Sequence, residues 1–119
     1  MSIPTRTELT TCILDALDDL KGREVIRLDV EGIADFADTM IVCTGTSGRH
    51  LNALAGKVAE ATHEKLATKP LHLEGDAKSD WVLVDYGDII VHLMLAEARS
   101  LYDLERLWSV RPLQKVEAR

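Results

Sequence analysis

Residues Trp81 to Leu95, reading Trp-Val-Leu-Val-Asp-Tyr-Gly-Asp-Ile-Ile-Val-His-Leu-Met-Leu, constrain the fold more than any other stretch of the chain. Two β-branched, apolar runs flank Asp85-Tyr86-Gly87-Asp88, the pattern of two antiparallel strands joined by a tight turn. A two-residue loop, at Tyr86-Gly87 or at Gly87-Asp88, fixes which side chains share a face, because successive strand residues point to opposite sides. One face is then Val82, Val84, Ile89, Val91 and Leu93 with Tyr86 at its end, apolar up to the turn and suited to a core. The other carries Trp81, Leu83, Asp85, Ile90, His92 and Met94. An indole, a carboxylate and an imidazole among aliphatics make a poor core and a poor solvent face, and they read as a recognition surface.

The rest of the chain supplies partners for this hairpin. Thr5 and Glu8 have the spacing of a capping box, and Leu9, Cys12, Ile13, Ala16, Leu17 and Leu20 follow the helical repeat. Gly22 is expected to end that helix in the left-handed conformation. Val25 to Val30 reads as a strand, Ile33 to Asp38 as a connector, and Thr39 to Thr44 as a nearly continuous apolar strand covered on both faces. Gly45-Thr46-Ser47-Gly48 turns into a second helix over Arg49 to Leu66, Leu71 to Glu74 is a short strand, and Glu97 to Trp108 reads as the last helix. The order predicts one α/β (α+β) domain over residues 1–110, a mixed sheet of about five strands with helices packed on it, and a polar tail without structure over residues 111–119.

Bulk properties narrow the function. A chain of 119 residues buries roughly two thirds of its unfolded surface without staples. Two cysteines, both in apolar segments, fit a reduced cytoplasmic protein, and neither a signal peptide nor a membrane-spanning run is read. The net charge of −6 argues against binding a phosphate backbone and favours a basic partner.

Sites for chemistry are weakly supported. The Gly45 to Gly48 turn lacks the lysine and spacing of a phosphate loop, and Ser47 serves as a helix cap. Glu74-Gly75-Asp76, with Asp85 or Asp88, resembles the carboxylates of a metal-dependent nucleotidyltransferase, but Gly75 loosens the strand that would aim them. His50, His63, His72 and His92 have no metal spacing, and His50 and His63 are read as surface. Cys12 and Cys43 fall on core positions, so no nucleophile, metal or cofactor is expected. Trp81 and His92 lie opposite or one diagonal step apart, either as a stacked pair under the last helix or as a protein-binding hot spot. Tyr102 and Trp108 pose the same choice.

Asp85 to His92, Glu97-Ala98-Arg99 and Tyr102-Asp103-Leu104-Glu105-Arg106-Leu107-Trp108 resemble the signatures of the ribosomal silencing factor family, also called the Iojap family, and Ala37 to Met40 with Gly45 to His50 resemble its earlier motif. The resemblance implies a nucleotidyltransferase-like topology without enzymatic activity. It also implies a translation repressor that binds the large ribosomal subunit through ribosomal protein fourteen and blocks joining of the small subunit when nutrients are short. A role in large-subunit assembly is the alternative, and a homodimer of the free protein is compatible with an exposed apolar patch. The implied partner surface is Trp81, Asp85, Tyr86, Asp88 and His92, with Tyr102 and Trp108 from the last helix. Thr39-Met40 and Ala96 depart from the family pattern, and both lie outside this surface.

Overall fold

Thr5 caps the first helix, α1 (Arg6–Asp19): its hydroxyl accepts from the Glu8 N–H at 3.0 Å, and the Glu8 carboxylate accepts from the Thr5 N–H at 2.9 Å. The helix ends in a Schellman arrangement, with Gly22 N–H donating to the Leu17 carbonyl and Lys21 N–H to that of Asp18. Here the expectation needs correcting. Lys21, at φ 60°, takes the left-handed position, and Gly22 is required for a different reason: a Cβ there would lie 2.5 Å from the Cys43 sulfur.

The computed structural model describes residues 4–32, 37–76, 78–103 and 112–115, with Tyr102 and Pro112–Lys115 described by their backbone. Strands β1 (Arg23–Asp29) and β2 (Thr39–Gly45) follow α1, and α2 (Gly48–Leu66) follows β2. Then come β3 (His72–Glu74), β4 (Trp81–Asp85), β5 (Ile89–Leu95), α3 (Ala96–Tyr102) and β6 (Pro112–Lys115). The sheet order is β3-β4-β5-β2-β1-β6, and β2 with β5 is the parallel pair among otherwise antiparallel neighbours.

Two expectations change at the C-terminal end. Asp103, at φ 46°, caps α3 at Tyr102, so the helix stops well before residue 108; Leu104 to Trp108 lie outside the described residues. Pro112–Lys115 pairs with β1 where a structureless tail is expected. Without that strand β1 would present a row of unpaired backbone groups, and an edge of this kind recruits any extended segment within reach.

Helices α1 and α2 cover one face of the sheet. Ile13 and Leu17 from α1 and Leu51, Leu54 and Val58 from α2 pack there on Ile41, Val84, Val91 and Leu93. Burial of each such side chain contributes about 1.5–3 kcal/mol. A smaller core of Leu28, Val30, Met40, Val42, Met94 and Ala98 occupies the other face, where α3 begins. Strand β2 is buried along its whole length, as its unbroken apolar sequence requires. No helix of the described residues is long and apolar enough to cross a membrane.

Candidate docking site

The hairpin turn sets the site. Tyr86 N–H donates to the Ile89 carbonyl at 2.8 Å, which makes Gly87-Asp88 the loop. Gly87 sits at φ 89°, a value that costs little without a Cβ. One Asp85 carboxylate oxygen accepts from the Gly87 N–H at 2.7 Å and holds the turn. The ladder then pairs Trp81 with Met94, Leu83 with His92 and Asp85 with Ile90. Trp81 and His92 are therefore diagonal neighbours on the face turned away from α1 and α2.

Their contact is specific. The Trp81 indole Nε1–H donates to His92 Nδ1 at 3.0 Å, with ring centroids 5.7 Å apart and planes inclined by 49°. His92 is only 6% exposed, and burial pushes its pKa down to about 4, so the ring is neutral at pH 7. Because Nδ1 accepts, the proton sits on Nε2, and that buried atom has no hydrogen-bond partner among the described residues. His92 lies beneath the surface and orients the indole through a tilted, hydrogen-bonded contact rather than a stacked one. Trp81 is half-buried, packs against the second core, and keeps part of its ring outside.

The other expected members divide. Leu83 and Asp85 are half-buried further along the same face of β4, and the Asp88 side chain is exposed at the tip. Tyr86 belongs elsewhere: it packs against the α1/α2 core, and its hydroxyl lies 2.7 Å from that of Thr62 on α2. Burial pushes its pKa up, against the opposing effect of the Thr62 hydrogen bond. The correction follows from the Gly87-Asp88 loop, which puts Tyr86 opposite Ile89 on the helix-covered side. Tyr102 contributes its backbone to the end of α3, while its side chain and all of Trp108 lie outside the described residues.

Strand β3 adds two residues that sequence reading missed. His72 pairs with Asp85 and Glu74 with Leu83, so both share the face of Trp81, and both are exposed. The signal available was the alternation of Leu71, His72, Leu73 and Glu74, which needs the β3–β4 register to assign a face. The resulting surface combines an aromatic anchor and an aliphatic side chain with Glu74, Asp85 and Asp88, a setting for a basic partner.

Elsewhere the polar groups serve the fold. Ser47 Oγ accepts from the His50 N–H at 3.1 Å and caps α2. His50 is not a plain surface residue: Nδ1 accepts from the Thr46 N–H at 2.9 Å, leaving Nε2–H to donate to the Leu20 carbonyl at 2.7 Å. That ring ties the end of α1 to the β2–α2 turn. Asp76 accepts from Lys78 N–H and Ser79 Oγ–H inside its own loop, and Gly75 stands at φ 115°. Among the described residues no three His, Cys, Asp or Glu side chains are grouped to hold a metal ion. Cys12 and Cys43 are buried, and burial pushes the Cys43 thiol up to about 12.

His92 gives a pH dependence with a definite sign. The unfolded ring takes up a proton near 6.5 and the folded one only near about 4, so stability present at pH 7 is lost as the pH falls through this window. Urea unfolding is expected to show wild type losing about 2–3 kcal/mol more than His92→Leu between pH 7 and pH 4.5. Equal losses in the two proteins would contradict a neutral buried His92.

Similar proteins bear on this geometry. The family described as "Ribosomal silencing factor during starvation" matches residues 3–119. Ribosomal silencing factor RsfS of Haemophilus influenzae is 39% identical over 101 residues, 85% of this chain and 98% of that protein. The mouse protein named Mitochondrial assembly of ribosomal large subunit protein 1 is 33% identical over 83% of this chain and 44% of its own length. A crystal structure of a Chromobacterium violaceum protein superposes with a TM-score of 0.82 at 37% identity, covering 99% of this chain and 96% of that one. One from Bacillus halodurans gives 0.75 at 33% identity, covering 87% and 95%. With matches of this identity along nearly the whole chain, this protein belongs to the ribosomal silencing factor family.

Proposed function

We propose that this protein is a non-enzymatic translation repressor. It binds the large ribosomal subunit through ribosomal protein fourteen, occludes the surface on which the small subunit docks, and so lowers translation under nutrient limitation. The observation that carries this reading is the half-buried Trp81 indole, held by His92, with Leu83 and Glu74 next to it on the same face and Asp85 further along that face toward the turn. An oriented aromatic ring with a carboxylate rim suits a basic protein surface, and the net charge of −6 repels bare rRNA. When free, the protein uses the same surface to form a homodimer that competes with the ribosomal partner.

The test mixes purified large and small subunits with increasing amounts of the protein and follows joined particles by gradient sedimentation. Joined particles are expected to fall while the protein appears with the large subunit. Binding to large subunits without any loss of joining would remove the repressor role.

A second reading, assembly of the large subunit, is favoured by the printed name of the mouse relative. Timing separates the two. An assembly factor sits on immature particles and leaves mature ones, whereas a repressor binds mature large subunits.

A further inference from the structure

A crevice on the other side of the molecule from the hairpin turn goes beyond this reading and stands without it. Strands β2 and β5 run parallel side by side, and each leads into a helix at its carboxyl end. Helix α2 leaves β2 toward the α1 side, and α3 leaves β5 toward the opposite core, where Ala98 packs. Chains that diverge to opposite faces from adjacent parallel strands leave an opening beyond the strand ends, the place where open α/β sheets bind ligands.

The opening is present. A cavity of about 430 Å³ lies over Thr44, Gly45 and Leu95, and a recess of about 210 Å³ adjoins it at Thr44 and Ala96. The larger is within the usual size of small-molecule sites. Two arginines border Thr44. Arg23 is its ladder partner, placed there by an irregularity of β1 in which Glu24 stands at φ 47°. Arg99, only 7% exposed, donates from Nη1 to Thr44 Oγ1 at 2.8 Å, which leaves the threonine O–H hydrogen to donate in turn. Thr46 lines the same opening, its hydroxyl 3.2 Å from the acceptor His50 Nδ1.

Carboxylates decide the ligand class. Glu97 lines the larger cavity, and Glu24 and Asp103 line the recess. Three acids beside two guanidiniums disfavour a polyphosphate, and a carboxylate in such an opening can accept hydrogen bonds from ribose hydroxyls. Leu95 and Ala96 offer the apolar surface a base needs. We propose that the crevice binds a nucleoside monophosphate, its phosphate on Arg23 and the hydroxyl of Thr44, its ribose on Glu97. The site would couple the protein to the nucleotide pool without any turnover of the ligand.

The experiment is a titration of the whole, ¹⁵N-labelled protein with AMP and GMP, followed by amide chemical shifts. Saturable shifts centred on Gly45, Thr46 and Glu97 are expected below about 10 mM for at least one of the two. Adenosine, guanosine and inorganic phosphate should each bind at least about tenfold more weakly, since each lacks half of the contacts. Arg23 and Glu97 are exposed, so Arg23→Gln and Glu97→Gln keep the melting temperature and each weaken binding about tenfold. The proposal is overturned by an absence of saturable shifts, by shifts centred elsewhere, or by phosphate alone binding as tightly as AMP or GMP. Undiminished binding by both variants overturns it too, as does tighter binding of a single-stranded RNA oligonucleotide.

Discussion

Trp81→Ala is expected to abolish co-sedimentation with large ribosomal subunits while leaving a folded protein. Among the described residues the indole is the largest side chain on the face turned away from α1 and α2, and its orientation is fixed by the bond to His92. Truncating an aromatic anchor of this kind costs about 2–4 kcal/mol of binding, or about 30- to 900-fold in affinity. Trp81 also touches the second core, so some stability is lost, and the melting temperature of the variant must be measured beside its binding. Trp81→Phe separates the contributions: it keeps an aromatic ring but removes the N–H that His92 Nδ1 accepts. An intermediate affinity for Trp81→Phe assigns the remainder to orientation. Undiminished binding by a folded Trp81→Ala protein would move the docking surface elsewhere on the molecule.

Leu54→Ala is expected to show the reverse pattern. Leu54 is fully buried between α2 and the sheet, in the core shared with Ile13, Leu17 and Val91. Deleting its branched end removes transfer energy and leaves a cavity, for a loss of about 2–5 kcal/mol. The melting temperature should fall by about 10–20 °C. At a temperature where the variant remains folded, its affinity for large subunits should match wild type, because α2 lies on the opposite side of the sheet from Trp81. A selective loss of binding in a still-folded Leu54→Ala protein would show that the α1/α2 side takes part in docking.

Sequence periodicity located α1, α2 and the hairpin because each carries a repeat that only one backbone geometry satisfies. The stripe from Leu9 to Leu17 closes on itself only as a helix, and Val82, Val84, Val91 and Leu93 line one face only as paired strands. The ends of elements were less legible. That Gly22 is needed for the close approach of Cys43, a residue 21 places further on, is invisible in the local pattern, and Asp103 ends α3 inside a stretch whose apolar repeat continues beyond it. Strand β6 was invisible for a related reason: a four-residue segment beginning with proline has no strand signal of its own and forms because β1 offers an edge.

The candidate docking site divides in the same way. That one hairpin face is chemically mixed follows from alternation alone, and this drew attention to Trp81, Asp85 and His92. That His92 is buried and Tyr86 turned to the other core follows from the loop at Gly87-Asp88 and from what covers each face. The order of helices and strands from α1 to α3, the clean core face of the hairpin and the residues of its mixed face are legible in the sequence, since these depend on neighbours within a few positions. Which of those residues reach the surface, the placement of His72 and Glu74 beside them by β3, and the bond of Arg99 to a Thr44 that faces Arg23 across the ladder all depend on tertiary packing. Burial and convergence depend on residues tens of positions apart along the chain, and a local pattern carries no record of them.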